Sequence, residues 1–197
     1  MTAAPKHRDK IIRAAAALFR RAGYAATGTN EIVARSGAPK GSLYHYFPGG
    51  KSEIGAAAVG YAGGKVTATL ADLLASHGGD PAAAILAHGE LLIGWLEKSG
   101  YRDGCPIATV LLEIAPAEPA VTAAGRAAFA DWAALFAEAL IARHVPPGRA
   151  ADLGRLAVTL LEGCLVQARV DADGSAIRLA VAETARLFEA AMGKPRQ

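Results

Sequence analysis

Acidic side chains are scarce in the first quarter of this 197-residue chain. Residues 1–51 contain two of them, Asp9 and Glu31, against nine lysines and arginines, which gives a formal charge of +7. The remaining residues carry a charge of −4, so the net charge of +3 conceals a strong asymmetry. Positive charge that is confined to one end of a chain is typical of a unit that binds a polyanion.

Cysteine and long apolar runs are scarce as well. Cys105 and Cys164 lie far apart with no histidine at metal-ligand spacing, which excludes a disulfide framework and predicts neither a metal nor another cofactor. The longest stretch without Asp, Glu, Lys or Arg, residues 54–64, has 11 residues, whereas a membrane-spanning helix needs about 18. Arg13 interrupts the N-terminal apolar stretch, which is unlike a secretory signal. We therefore expect a cytoplasmic protein with no membrane partner.

Strand-forming sequence is also nearly absent. Aromatic residues make up 6% of the chain, runs of Val, Ile, Thr and Tyr are rare, and alanine is abundant. An apolar content of 52% with 20% charged residues is typical of a globular protein with a well-buried core. This composition predicts an all-α fold.

Glycine and proline divide the chain into segments in which apolar residues recur at helical spacing. We predict helices over residues 6–22, 27 or 29 to 36, 39–47, 51–76, 81–100, 105–115, 121–144, 149–170 and 175–192. The first three form a small domain in residues 1–51, and the others form a larger helical domain in residues 52–197.

The second and third predicted helices are short and are joined by a tight glycine turn, which indicates a helix-turn-helix motif. Winding the third helix at about 100° per residue places Phe47 and Tyr46 on the same side as Leu43. The other side carries small, aromatic and hydrogen-bonding residues: Gly41, Ser42, Tyr44 and His45. Lys40 and Lys51 bracket this side, which suits contacts with phosphates and base edges, so we predict that it binds DNA.

Four glycines, Gly55, Gly60, Gly63 and Gly64, fall inside the predicted helix of residues 51–76. Each costs roughly 1 kcal/mol relative to alanine in a helix interior. We expect this helix to be tightly packed, bent or easily adjusted.

The N-terminal part closely resembles the TetR family of bacterial transcriptional regulators from Arg8 to about Ile54. The residues that match the family signature are Tyr24, Thr27, Ile32, Ala38, Lys40, Gly41, Leu43, Tyr44, Tyr46, Phe47 and Lys51. The stretch APKGSLYHYFPGGK, together with GCPIATVLLE at residues 104–113, is similar to the LmrA/YxaF-type subgroup. The resemblance implies an all-α homodimer with three DNA-binding helices and a larger regulatory domain. Its last two long helices, residues 149–170 and 175–192, are then expected to form the dimer interface.

The resemblance also implies which residues contact DNA. The family's contacts correspond to Thr27, Thr29, Lys40, Gly41, Tyr44, His45, Tyr46 and Lys51. We expect phosphate contacts from Thr27, Tyr44, Tyr46 and Lys51, and contacts with base edges from Lys40, Ser42, His45 and the ring of Pro39.

Two residues depart from the family pattern. Gly28 stands where a second Thr or Ser is common, so a side-chain phosphate contact is missing there. Pro39 replaces a usual Ser and removes a backbone N–H donor.

Aromatic residues in the C-terminal part are candidates for lining a pocket that binds a small hydrophobic effector. These are Trp95, Tyr101, Phe129, Trp132 and Phe136, with Glu113 and Gln167 as polar partners. Aromatic residues at helical spacing are also typical of an ordinary core, and the sequence leaves both interpretations open.

We therefore predict a ligand-responsive transcriptional regulator, a repressor that binds a palindromic operator as a dimer. An effector would release it by shifting the helix that begins at Lys51. One alternative is a helical enzyme that uses His88, Cys105 or Glu113, but no nucleophile–base pair or metal spacing supports it, and we predict no enzymatic activity. The other is a protein that binds DNA without sequence preference.

Overall fold

The computed structural model describes residues 6–193, which form α-helices joined by short turns and contain no β-strand. The helices of these residues are α1 (Lys6–Ala22), α2 (Thr29–Ser36), α3 (Lys40–Tyr46), α4 (Gly50–Ser76), α5 (Pro81–Lys98), α6 (Ala108–Ile114), α7 (Pro119–Ile141), α8 (Pro147–Asp171) and α9 (Ser175–Ala191). The predicted all-α fold is confirmed. Within residues 6–193, every helix is too short or too polar to cross a lipid bilayer.

The helices begin and end where local chemistry favours it. Gly37 ends α2 in the left-handed conformation, with φ of 62°, which glycine adopts without steric cost. Asp80 caps α5, because its carboxylate accepts hydrogen bonds from the N–H groups of Ala82 at 3.0 Å and Ala83 at 3.4 Å. Pro81 occupies the first position of that helix, where no N–H donor is needed.

The described residues group into two compact units. Unit 1 comprises the residues up to Gly64 together with Cys105–Ala128, and unit 2 comprises Lys65–Gly104 with the residues from Phe129 onward. This grouping cuts the chain at other places than the predicted boundary between residues 51 and 52. The functional division at that boundary stays a prediction.

Unit 1 has a core in which α1 packs against α2 and α3. Ile11, Phe19, Ile32 and Leu43 are fully buried, and the rings of Phe19 and Tyr24 lie 5.2 Å apart between centroids. The apolar stripe of α1 thus holds both short helices, each of which is too short to be stable alone in water.

The four glycines in the interior of α4 are of two kinds. A Cβ added at Gly55 would lie 2.9 Å from Cε2 of Tyr24, and one at Gly63 would lie 2.6 Å from Cβ of Ala128. Neither Gly60 nor Gly64 would bring a Cβ within 4 Å of any atom of the described residues outside the local backbone of α4. Two of these glycines therefore permit close packing inside unit 1, while the other two only lower the helix propensity.

We expect alanine to act in opposite directions at two adjacent positions of α4. Gly63→Ala should lower the free energy of unfolding by about 1–2 kcal/mol, because the new methyl group overlaps Ala128. Gly64→Ala should raise it by up to about 1 kcal/mol, because alanine is the better helix former. Urea denaturation at equal protein concentration measures both. Effects of the same sign would show that the contact between α4 and α7 yields to the extra methyl group.

Unit 2 is held together by α9, which packs against α5 and α8. Phe136, Ile177 and Phe188 are fully buried in it. Close approach again depends on glycine: a Cβ at Gly89 would lie 2.8 Å from Cγ2 of Val181, and a Cβ at Gly154 would overlap the carbonyl oxygen of Ala133. Apolar side chains at helical spacing, such as Ile85 of α5, Leu153 of α8 and Val181 of α9, are buried in this core.

Candidate nucleic-acid interface

The turn between α2 and α3 has the compact geometry of a helix-turn-helix motif. The hydroxyl of Ser36 donates a hydrogen bond to the carbonyl of Val33 at 2.9 Å and accepts one from the N–H of Ala38 at 3.1 Å. Together with the left-handed Gly37, these bonds turn the chain sharply, so that α3 starts four residues after α2 ends. The predicted motif is present.

The inner side of α3 fixes this helix to the core of unit 1. Leu43 is fully buried in the middle of α3, and Phe47, which follows its last residue, is fully buried too. The guanidinium carbon of Arg8 lies 5.4 Å from the centroid of the Phe47 ring, within the range of a cation–π contact. One basic residue of α1 is thereby held next to α3.

The outer side of α3 is exposed and contains no acidic residue. The predicted DNA contacts that are exposed there are Pro39, Lys40, Gly41, Tyr44 and His45. The Tyr44 side chain is 57% exposed, an unusual position for a large aromatic residue. Ser42 and Tyr46 are half-buried, and the Tyr46 ring meets the His45 ring edge-on at 5.0 Å. This surface offers one cation, hydroxyl groups, an imidazole and open backbone to a ligand.

Three predicted contacts outside α3 lie in different environments. Thr29 is half-buried at the first position of α2. Thr27 is fully buried, and its hydroxyl donates a hydrogen bond to the carbonyl of Gly23 at 2.8 Å. The Nζ of Lys51 lies 3.3 Å from the carbonyl oxygen of Ala25 and 4.4 Å from the centroid of the Tyr24 ring. The geometry thus gives Thr27 a role inside the fold and does not support a phosphate contact from its side chain.

Comparison with known protein families identifies the family to which this helix-turn-helix protein belongs. Residues 11–58 match the family described as "Bacterial regulatory proteins, tetR family". Residues 81–183, more than half of the chain, match the family described as "Transcriptional regulator LmrA/YxaF-like, C-terminal domain". The chain belongs to the TetR family. The resemblance predicted from the sequence is confirmed, including its subgroup.

Individual relatives of this TetR-family protein agree with that assignment. It is 36% identical to the HTH-type transcriptional regulator Rv0196 of Mycobacterium tuberculosis over 178 residues, which cover 84% of this chain and 86% of the relative. It is 33% identical to the HTH-type transcriptional regulator YxaF of Bacillus subtilis over 179 residues, covering 91% and 93%. The crystal structure of reduced NemR from E. coli superposes with a TM-score of 0.79 at 21% identity, covering 90% of this chain and 94% of NemR, and so shows the same fold. The protein is a DNA-binding transcriptional regulator.

The residues predicted to bind an effector do not share one environment in this TetR-family protein. Trp132 is buried with its ring edge-on to Phe129, at 5.4 Å between centroids. Phe136 is fully buried, and its ring lies 5.7 Å from that of Phe188. Trp95 is 43% exposed. Phe136 thus has the packing of a core residue, and the effector role of the others stays a prediction.

Three further residues of that predicted set have distinct positions. Tyr101 is half-buried with φ of 58°, a left-handed conformation that is rare for a large side chain. Gln167 lies on the exposed surface of α8. Glu113 belongs to unit 1, where its carboxylate oxygens accept hydrogen bonds from the N–H groups of Tyr24 at 2.9 Å and Ala25 at 2.6 Å.

The three residues considered for an enzymatic alternative, His88, Cys105 and Glu113, lie in environments typical of structural residues. The carboxylate of Glu113 is engaged by the two amides, and burial lowers the pKa of His88 to about 4, so this histidine is neutral at pH 7. Cys105 is buried, and its sulfur accepts a hydrogen bond from the N–H of Ala108 at 3.4 Å. No cluster of three or more His, Cys, Asp or Glu side chains that would suit a metal ion occurs among residues 6–193.

Sequence reasoning missed the contacts that join the segment around α6 to the turn between α1 and α2 and to the start of α4. The hydroxyl of Ser52 donates a hydrogen bond to the carboxylate of Glu118 at 2.6 Å, across 66 residues of sequence. The Glu113 bonds span 88 and 89 residues. The sequence signal for them was weak, because a single carboxylate in a nearly uncharged helix indicates a polar partner elsewhere in the fold but does not identify it.

Proposed function

We propose that this TetR-family protein is a cytoplasmic repressor that binds a palindromic operator as a homodimer and is released by a small hydrophobic effector. The observation that carries the proposal is the exposed, acid-free outer side of α3. Lys40 and His45 are suited to base edges, since a lysine can donate to guanine and a histidine can donate or accept. Tyr44 and the open backbone at Gly41 are suited to phosphates.

Selection of binding sites from a pool of random DNA duplexes tests whether the protein recognises a specific sequence and whether that sequence is palindromic. We expect the purified protein to enrich an inverted repeat with half-site centres about one helical turn (~34 Å), or a multiple of it, apart, because two-fold symmetric dimers bind two-fold symmetric sites. Enrichment of a single half-site would contradict the homodimer, and enrichment of no sequence would contradict specific reading.

Tyr44→Ala is expected to weaken binding to the selected duplex by about tenfold or more, since the loss of one interface contact typically costs about 1–3 kcal/mol. Tyr61→Ala is the matched control, because Tyr61 is also a partly exposed tyrosine of unit 1 but lies on α4. Fluorescence anisotropy with labelled DNA measures both affinities, and circular dichroism checks the fold. Equal affinities of the two variants would remove Tyr44 from the interface.

The homodimer is supported by an apolar stripe along α8. Its exposed residues fall within about 100° of the helix circumference. They are Leu156, Thr159, Gly163, Val166, Gln167 and Val170. Val170 is 80% exposed, and Leu179 of α9 is 65% exposed. An exposed apolar stripe that also carries a glycine suits close helix–helix packing across a two-fold axis. Gln167, predicted as an effector contact, fits this proposed interface better.

The effector part of the proposal rests on Trp95, Tyr101, Phe129 and Trp132 as contacts. The helix α4 runs along the chain from unit 1 into unit 2, with Gly64 and Lys65 at the division. A ligand that favours one setting of this helix would change the spacing of the two DNA-binding heads of a dimer. A thermal-shift screen of hydrophobic drugs and flavonoids, followed by DNA release assays with the compounds that raise the melting temperature, tests this part.

A protein that binds DNA without sequence preference remains the contrasting function. For such a protein, raising the salt concentration would lower the affinities for the selected duplex and for random duplexes equally, since phosphate contacts alone would account for binding to both. A regulator retains an excess affinity for the selected duplex across a salt series. Competition between the two duplexes from 50 to roughly 200 mM salt distinguishes these outcomes.

A further inference from the structure

The turn that joins α1 to α2 is held by a carboxylate from a distant part of the sequence. Each carboxylate oxygen of Glu113 in α6 accepts one backbone hydrogen bond, from Tyr24 at 2.9 Å and from Ala25 at 2.6 Å. Hydrogen bonds to a charged acceptor are roughly twice as strong as those between neutral groups. Two of them on successive amides fix both the position and the orientation of the turn.

The turn has a shape that admits this carboxylate. Gly23 has φ of 84°, and a Cβ at this position would overlap Oε1 of Glu113. A glycine is therefore required twice here, for the left-handed backbone and for the space that the carboxylate fills.

The carbonyl groups of the same turn have their own partners. Thr27 donates its hydroxyl hydrogen bond to Gly23, and the Nζ of Lys51 donates to the carbonyl of Ala25. With Glu113 on the amides, the turn is held from both its donor and its acceptor side. We call Glu113 together with the amides of Tyr24 and Ala25 the clamp. Its partner Glu113 comes from outside residues 1–51, whereas Thr27 and Lys51 lie within them.

Further contacts anchor the segment that carries Glu113. Ser52 donates to Glu118 at 2.6 Å, and a Cβ at Gly55 would lie 3.2 Å from Cγ2 of Val121. A Cβ at Gly125 would lie 2.5 Å from Cδ1 of Leu111, so α6 and the start of α7 pack closely on each other. The carboxylate therefore extends from a well-packed support within unit 1.

The beginning of α2 depends on this turn, because Gly28 at the N-cap position offers no side chain to bond the first amides. We propose that Glu113 is a positioning residue for DNA binding, which holds the turn, and through it α2 and α3, in the arrangement that reads DNA. This inference rests on the proposed function, and it assigns to Glu113 a role other than the effector contact predicted from sequence.

Glu113→Gln tests the proposal with little change in shape. The glutamine offers one acceptor oxygen, and its NH₂ group would face the second amide, where two donors meet. Hydrogen–deuterium exchange at Tyr24 and Ala25 should become about tenfold faster or more, since hydrogen bonds to a charged acceptor are stronger than those to a neutral one. The amide of Gly23, which donates to the carbonyl of Phe19 at 2.8 Å, serves as an internal reference and should keep its exchange rate.

The same variant should bind the selected duplex about tenfold more weakly, with less than about a twofold change for a random duplex, since phosphate contacts alone support the latter. A merely structural defect would move both affinities together. Glu138→Gln, an exposed glutamate of α7 in unit 2, is the matched control and should change neither. A measurement on the wild-type protein alone also tests the clamp. The amides of Tyr24 and Ala25 should exchange at least about tenfold more slowly than in an unstructured peptide.

Unchanged exchange at Tyr24 and Ala25 in Glu113→Gln would overturn the clamp. Faster exchange with unchanged affinity for the selected duplex would overturn the positioning role. If the wild-type protein selects no DNA sequence, the proposed function fails and the positioning role fails with it, whereas the exchange rates still show whether the clamp exists. The two failures are therefore distinguishable.

Discussion

Replacing Phe136 with alanine is expected to lower the free energy of unfolding by about 3–5 kcal/mol. The side chain is fully buried in unit 2, where its ring packs at 5.7 Å against that of Phe188. Truncation removes apolar surface from the core and leaves a cavity that the surrounding helices fill only in part.

Phe129→Ala provides the matched control for this expectation. Phe129 lies two turns earlier on α7 and was predicted for the same effector pocket, but it is only half-buried. We expect it to cost about 1–2 kcal/mol, because a partly exposed ring loses less burial. Urea denaturation at equal protein concentration measures both. A loss below about 1 kcal/mol for Phe136→Ala would show that its ring borders a space open to ligand or water.

Acidification from pH 7 to pH 5 is expected to destabilise the protein by about 2 kcal/mol through His88 alone. This side chain is 4% exposed, and neither ring nitrogen has a hydrogen-bond partner among residues 6–193. Burial lowers its pKa from 6.5 to about 4. The unfolded chain therefore binds a proton between these values while the folded protein does not, so stability is complete above pH 6.5 and is lost as the pH falls towards 4. The full difference corresponds to about 3 kcal/mol, at about 1.4 kcal/mol per pH unit.

His88→Leu is expected to remove this part of the pH dependence. Leucine has a similar volume and no polar atoms, so the variant should be at least as stable as the wild type at pH 7. The difference between the two free energies of unfolding should then grow by about 2 kcal/mol on going to pH 5. Carboxylates that titrate in the same range cancel in this comparison. An equal pH dependence of both proteins would show that His88 has a polar partner when folded.

The sequence predicted the elements of the DNA-binding part closely. Gly37 and Pro39 mark the turn of the motif by their backbone preferences, and the apolar positions of α1 recur with the helical period. The exposed position of Tyr44 followed from winding α3 about Leu43. These features are local, because the residues that decide them lie within one or two helical turns of each other.

The effector residues were harder to assign. Periodicity identifies the apolar side of α7 but not what that side contacts, and so the sequence left Phe136 open between an effector pocket and an ordinary core. In the structure its ring packs against that of Phe188. Gly63 and Gly64 look alike in the sequence and differ in the structure, since only Gly63 faces Ala128 closely. Such differences depend on a neighbouring helix whose position the local sequence does not encode.

The sequence by itself determined the all-α fold, the TetR-family motif and the basic character of its first 51 residues, because composition, helix ends and charge are local properties. Only the tertiary structure decided that the carboxylate of Glu113 accepts hydrogen bonds from the turn between α1 and α2 and that Thr27 is buried. The amides of Tyr24 and Ala25 are indistinguishable from other backbone amides in the sequence. Their partner is set by tertiary packing across 88 and 89 residues, because the position of α6 within unit 1 brings one carboxylate to two donors.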